Sequence, residues 1–114
     1  MEEKEEISPE TKEAIVKFQN YQQQLQSILI QKESLRLQSF EIDKALEELE
    51  KTNQKNAYKI AGQIMILKPV EELKKELNQA KEEIKLRIDS LEKMEKRVTD
   101  KLKEIQEKLK SVVK

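Results

Sequence analysis

Apolar residues recur every three or four positions through most of the chain, and one short stretch breaks that spacing. On its N-terminal side the steps run Ala14, Phe18, Tyr21, Leu25, Ile28, then Leu35, Ile42, Leu46 and Leu49. With Phe18 at heptad position a, Leu25, Lys32, Ser39 and Leu46 also fall at a, and Ala14, Tyr21, Ile28, Leu35, Ile42 and Leu49 at d, a register unbroken over five heptads. Such spacing predicts a long helix whose seam faces a partner helix. Lys32 and Ser39 interrupt the seam with polar groups. Polar a-positions lower stability and commonly fix register, so the pair either discriminates against wrong alignments or is a tolerated flaw.

The C-terminal side has its own seam: Val70, Leu73, Leu77, Ala80, Ile84, Ile88, Leu91, Val98, Leu102, Ile105, Leu109 and Val112. The two steps of four at Ala80, Ile84 and Ile88 form a stutter, which relaxes the supercoil locally and leaves the coiled coil intact. Start signals accompany both helices. Ser8 is a capping residue with Pro9 at the first helical position and Glu10 beside the positive end of the helix dipole; Pro69 with Glu71 and Glu72 repeats the proline and the acidic turn, although Lys68 before them is a poor cap. The first helix meets no strong breaker before Asn53-Gln54-Lys55-Asn56, where either asparagine can adopt the left-handed conformation that ends a helix.

Between the helices lies Ala57-Tyr58-Lys59-Ile60-Ala61-Gly62-Gln63-Ile64-Met65-Ile66-Leu67-Lys68, with the only glycine of the chain. Its residue types are strand types, and Gly62-Gln63 suits a two-residue turn with positive φ at the glycine, so the stretch predicts a β-hairpin. Alternation then puts Tyr58, Ile60, Met65 and Leu67 on one face, and Ala61, Ile64 and Ile66 with Lys59 on the other. Both faces are too apolar to remain in water, and two short strands are marginal alone, so the hairpin is expected to pair with hairpins of other chains. An apolar loop folded back on the helices is the competing reading.

The expected organisation is a flexible N-terminal arm over residues 1–8, coiled-coil helix 1 over 9–53, a linker and oligomerisation hairpin over 54–68, and coiled-coil helix 2 over 69–114. Each helix of about 44 residues would extend about 66 Å at 1.5 Å per residue, and equal lengths favour an antiparallel pair with both chain ends at one tip. The fold class is therefore mainly α, with two long helices in an antiparallel coiled-coil hairpin joined by one β-hairpin.

Composition narrows the function. Forty per cent of residues are charged, with 23 basic and 23 acidic side chains interspersed to a net charge of zero, so no basic block invites nucleic acid. Cysteine and histidine are absent, which removes thiolate and imidazole metal sites and the commonest nucleophiles and general bases. Neighbouring carboxylates such as Glu71-Glu72 and Glu82-Glu83 do not face each other on a helix and read as solvated surface. A single glycine allows no phosphate-cradling loop, and no calcium-loop spacing is present. Neither catalysis, a metal nor a cofactor is expected. No signal-peptide pattern and no membrane-length apolar run occur, so a cytoplasmic chain without a membrane partner is expected.

Near the tip, Ile15, Val16 and Val113 lie outside the seam, and Phe18, Leu109 and Val112 belong to it where it frays. These either close the end of the coiled coil or form an apolar surface for exposed hydrophobic groups of another protein. Physics alone favours end closure.

The central stretch, with Tyr21-Gln22-Gln23-Gln24-Leu25-Gln26 before it and Val70-Glu71-Glu72-Leu73 after it, resembles a β-type subunit of prefoldin over nearly the whole chain, from about Ser8 to Val113. Tyr58-Lys59-Ile60-Ala61-Gly62 followed by an apolar strand carries the likeness, and the single hairpin separates it from α-type subunits, which have two. The polar Asn53-Gln54-Lys55-Asn56 linker departs from the acidic or proline-containing loops common in the family.

The resemblance implies a hexamer of two α-type and four β-type subunits whose hairpins join into β-barrels. Its implied function is ATP-independent capture of unfolded client proteins and their delivery to a group II chaperonin. On that reading Ile15, Val16, Phe18, Leu109, Val112 and Val113 contact client, and Tyr58, Ile60, Gly62, Ile64 and Ile66 serve oligomerisation. Lys110 and Lys114 are chaperonin-docking candidates by position only. An architectural coiled-coil spacer or tether, without chaperone activity, is the alternative, and it would need no apolar tip.

Overall fold

A computed structural model describes residues 8–112, with the side chain of Val112 left out. The element order is α1 (Pro9–Lys51), β1 (Asn56–Ala61), β2 (Ile64–Pro69) and α2 (Val70–Val112). The expected arm before Ser8, and Val113, lie outside the described residues.

Helix α1 begins as its sequence dictates. The Thr11 N–H donates to Ser8 Oγ at 3.1 Å and the Lys12 N–H to the Ser8 carbonyl at 3.0 Å, so the serine hydroxyl satisfies one free donor of the first turn while its carbonyl accepts the first helical bond. The helix end differs from expectation. Among the described residues only Gly62 has positive φ, so neither Asn53 nor Asn56 adopts the left-handed conformation. Instead Thr52 closes the last turn through its N–H to the Glu48 carbonyl at 3.2 Å, and its hydroxyl accepts the Gln54 N–H at 3.1 Å. A local hydroxyl-to-backbone turn thus replaces the asparagine cap.

The strands are antiparallel, paired from Asn56↔Pro69 through Tyr58↔Leu67 and Ile60↔Met65 to Ala61↔Ile64. Gly62, at φ +62°, and Gln63 form the two-residue turn, and the positive φ at its first position is why glycine stands there. Pro69 does not open α2 as the sequence suggested. It occupies the final ladder position of β2, where its missing N–H costs no hydrogen bond, and the next N–H, that of Val70, bonds the Lys55 carbonyl at 2.8 Å. That bond ties the base of the hairpin shut at the first residue of α2.

Two compact units divide the described residues, one of Glu33–Asp89 and the other of residues 8–32 with 90–112. In the Glu33–Asp89 unit, Lys74 Nζ lies 3.4 Å from Glu50 and Lys81 Nζ 2.6 Å from Asp43. Seven residues back along α1 match seven forward along α2, the signature of an antiparallel pair one heptad apart. Leu35, Val70, Leu73 and Ile84 are its buried apolar side chains. In the second unit Ile28, Leu91 and Val98 are buried, and Lys32 with them. All seven apolar residues are seam positions. At the stutter, Ala80, Ile84 and Ile88 are each at least half-buried, so α2 keeps one continuous inward stripe.

Candidate functional site

The hairpin presents its apolar residues to solvent. Ile60 is 73% exposed, and Tyr58, Met65 and Leu67 on the same face are also mostly accessible. Direct cross-strand pairing of Tyr58 with Leu67 and Ile60 with Met65 makes this one contiguous surface. On the opposite face Ile64 and Ile66 are exposed beside half-buried Ala61. The sequence-predicted oligomerisation residues Tyr58, Ile60, Ile64 and Ile66 are thus divided two and two between the faces, with Gly62 at the turn between the strands. Among the described residues neither strand has a third neighbour, so both outer edges keep free backbone donors and acceptors.

One device fastens this surface to α2. Lys59 and Lys68 share a hairpin face, and both reach Glu76, at 3.1 Å and 2.5 Å respectively; Lys68 also lies 3.6 Å from Glu72. Hydrogen bonds from Lys68 and then Lys59 hold the Glu76 carboxyl below the usual carboxylate range. The Glu76 hydrogen bond is in turn the main reason that Lys68 is raised above the usual lysine value. Beside the clamp, Ala45, Leu49, Ala57, Leu73, Leu77 and Ala80 line most of an apolar groove of about 450 Å³. Nothing in that lining is arranged to activate a nucleophile or move a proton; it is a surface for contact.

In the second unit, Val16 is exposed, whereas Ile15, Phe18 and Leu109 are half-buried. Leu109 lines a small pocket with Ser8, Thr11 and Ala14, so the end of α2 meets the start of α1. Val112 is the last residue of α2.

The sequence reading missed one inward partner. Lys32 is only 7% exposed, and its Nζ lies 2.7 Å from Glu95 Oε1 and 3.5 Å from Glu92 Oε2. Glu95 occupies the seam position between Leu91 and Val98, where no apolar residue stands. The signal was the seven-residue gap between those two.

Among the described residues no group of carboxylates could hold a metal ion, and no helix is long and apolar enough to cross a membrane.

Comparison with known proteins agrees with this geometry. A family model described as prefoldin subunit matches residues 12–114. The chain is 32% identical to prefoldin subunit beta of Thermococcus onnurineus, covering 94% of this chain and 93% of that one. It is 34% identical to prefoldin subunit beta of Methanospirillum hungatei, over 94% and 90% of the two chains. The crystal structure of the prefoldin beta subunit from Thermococcus strain KS-1 superposes with a TM-score of 0.85 at 29% identity, covering 97% of this chain and 98% of that one. Two long helices with a two-stranded antiparallel hairpin between them are common to both.

Proposed function

The chain belongs to the prefoldin subunit family, and from that premise we propose that it is one subunit of a hexameric, ATP-independent chaperone that captures non-native polypeptides and passes them to a group II chaperonin. Its partners are an α-type subunit, further β-type copies, unfolded clients and the chaperonin, in the cytoplasm.

The observation that carries this reading is the hairpin itself, apolar and solvent-exposed on both faces with both edges open. A surface of that kind is costly in a lone chain and is relieved by strand pairing with neighbours. Tyr58 and Ile60 supply one buried layer of the assembly, and Ile64 and Ile66 the other. The helices then carry the tip, where Ile15, Val16, Phe18, Leu109, Val112 and Val113 hold exposed apolar groups of a client. Each such contact is weak. Several tips acting on one client gain through effective concentration while each releases readily, so no nucleotide is required.

Light scattering on the chain alone and mixed with an α-type subunit tests the assembly, and aggregation of a denatured client tests the capture. Conversion to a hexamer and suppressed aggregation are expected. A chain that stays monomeric or dimeric in the presence of that subunit and leaves the client unprotected would be an architectural coiled coil instead.

A further inference from the structure

The groove beside the Glu76 clamp lies within the Glu33–Asp89 unit, and its walls come from α1, β1 and α2. Leu49 and Leu77 are seam residues, yet both are only half-buried. Around them stand Ala45, Ala57 and Ala80, too short to cover them, so the space beside the seam is left open. The two carboxylates of the lining leave its floor apolar: Glu48 is exposed, and Glu76 is held by Lys59 and Lys68. From the hairpin, Ala57, Tyr58 and Lys59 line the groove, and no residue of β2 does. Ala57 and Lys59 belong to the face that carries the clamp and Tyr58 to the opposite one. A groove that touches residues of both faces of β1 reaches the outer edge of that strand.

Hydrogen-bond parity decides what an added strand would bring there. Lys55 accepts from Val70 across the base of the hairpin, and the alternate residues that follow, Ala57, Lys59 and Ala61, turn their backbone groups toward β2. Tyr58 and Ile60 therefore turn theirs outward, as Met65 and Leu67 do on the outer edge of β2. Antiparallel strands oppose residues of like parity, so β2 of a second copy laid antiparallel along β1 sets Met65 and Leu67 against Tyr58 and Ile60. Its Ile64 and Ile66 then fall on the clamp side, over the groove. Side-chain size selects the same pairing. On the clamp side β1 offers Ala57, Lys59 and Ala61, whereas β2 offers Ile64, Ile66 and Lys68, with both isoleucines exposed. Two β1 edges together would bring only alanines to the hollow, and two β2 edges would leave it uncovered.

We propose that the groove seats Ile66 from a second copy of this chain, whose β2 adds antiparallel to the free edge of β1. The contact rests on the assembly reading above. Strand pairing supplies the backbone bonds, and Leu49, Leu73 and Leu77 receive the isoleucine as a helix–strand pocket receives an anchor. Each chain carries one bulky edge and one hollow edge, so the contact is heterologous and has a direction. Full burial of the isoleucine strengthens association by about tenfold to a hundredfold.

The absence of cysteine makes the test direct. Ile66→Cys and Ala80→Cys chains, mixed in equal amounts, assembled with an α-type subunit and bridged with a short bismaleimide, should yield mainly the unlike pair joined through positions 66 and 80. Ala45→Phe, which fills the groove from the chain's own side, should keep the thermal melt of the lone chain and raise the concentration at which the assembly dissociates by about tenfold or more. An assembly of normal mass without the unlike pair, or with like pairs predominating, overturns the groove contact alone, as does an Ala45→Phe chain that assembles as tightly as the unaltered one. An unaltered chain that never assembles with the α-type subunit overturns the contact and the assembly reading together.

Discussion

Lys32 Nζ donates to Glu95 Oε1 at 2.7 Å, and each residue occupies a seam position of its own helix. This is an ion pair in a layer otherwise built from leucine, isoleucine and valine. Glu95→Ala leaves the buried ammonium with Glu92 alone and should cost about 1–3 kcal/mol, the typical cost of stripping a partner from a buried polar group. Replacing both residues by leucine should stabilise the chain by about 1–4 kcal/mol while broadening its pairing, because apolar layers fit several registers. Thermal melts with light scattering check both outcomes. A double-leucine variant that is more stable and assembles unchanged would show the pair to be tolerated rather than specifying.

The Glu76 clamp predicts how hairpin order depends on pH. Because the Glu76 pKa is lowered by Lys68 and Lys59, its contribution is full above the ordinary carboxylate range and is lost as pH falls through the lowered value. Because the Lys68 pKa is raised, chiefly by Glu76, its contribution is full below the ordinary lysine range and is lost as pH rises through the raised value. Hydrogen exchange of β1 and β2 amides should therefore show greatest protection around neutral pH, after correction for intrinsic rates. Glu76→Gln should flatten that profile; identical profiles for the two chains would refute the clamp.

Gly62 can be tested without steric interference, since a Cβ built there meets nothing within 4 Å. Gly62→Ala should destabilise the hairpin by about 1–2 kcal/mol through backbone strain at positive φ alone. Gly62→Asn should cost less, because asparagine tolerates that region better. The readout is the concentration at which the assembly dissociates, and equal values for alanine and glycine would contradict the turn geometry.

At the tip, Val16→Asp with Phe18→Ala should weaken suppression of client aggregation and leave the assembled mass unchanged. Undiminished protection by that variant would remove these positions from the client surface.

Much of the architecture was legible because it rests on periodicity. The seam from Ala14 to Leu49 faces inward as spaced, and the alternation of Tyr58 and Ile60 against Met65 and Leu67 follows from a two-residue turn. Features that depend on what lies opposite in space were not legible. Glu95 was hidden because a seam read from apolar residues skips its polar member. The reach of Lys59 and Lys68 to Glu76 depends on the angle at which the hairpin leaves α2, which residue types do not encode. The end of α1 was misplaced because a threonine hydroxyl competed successfully with two asparagines for the turn.

The open hairpin edges carry a consequence for the cell that makes this chain. A strand edge accepts any strand of suitable length, and the lysines that would deter strangers, Lys59 and Lys68, are engaged by Glu76. A copy synthesised in excess of its partners is thus itself a sticky, incompletely folded species. Under the proposed function, balanced production of the subunits, or prompt degradation of orphans, becomes a condition for the chain not to add to the aggregation it would guard against.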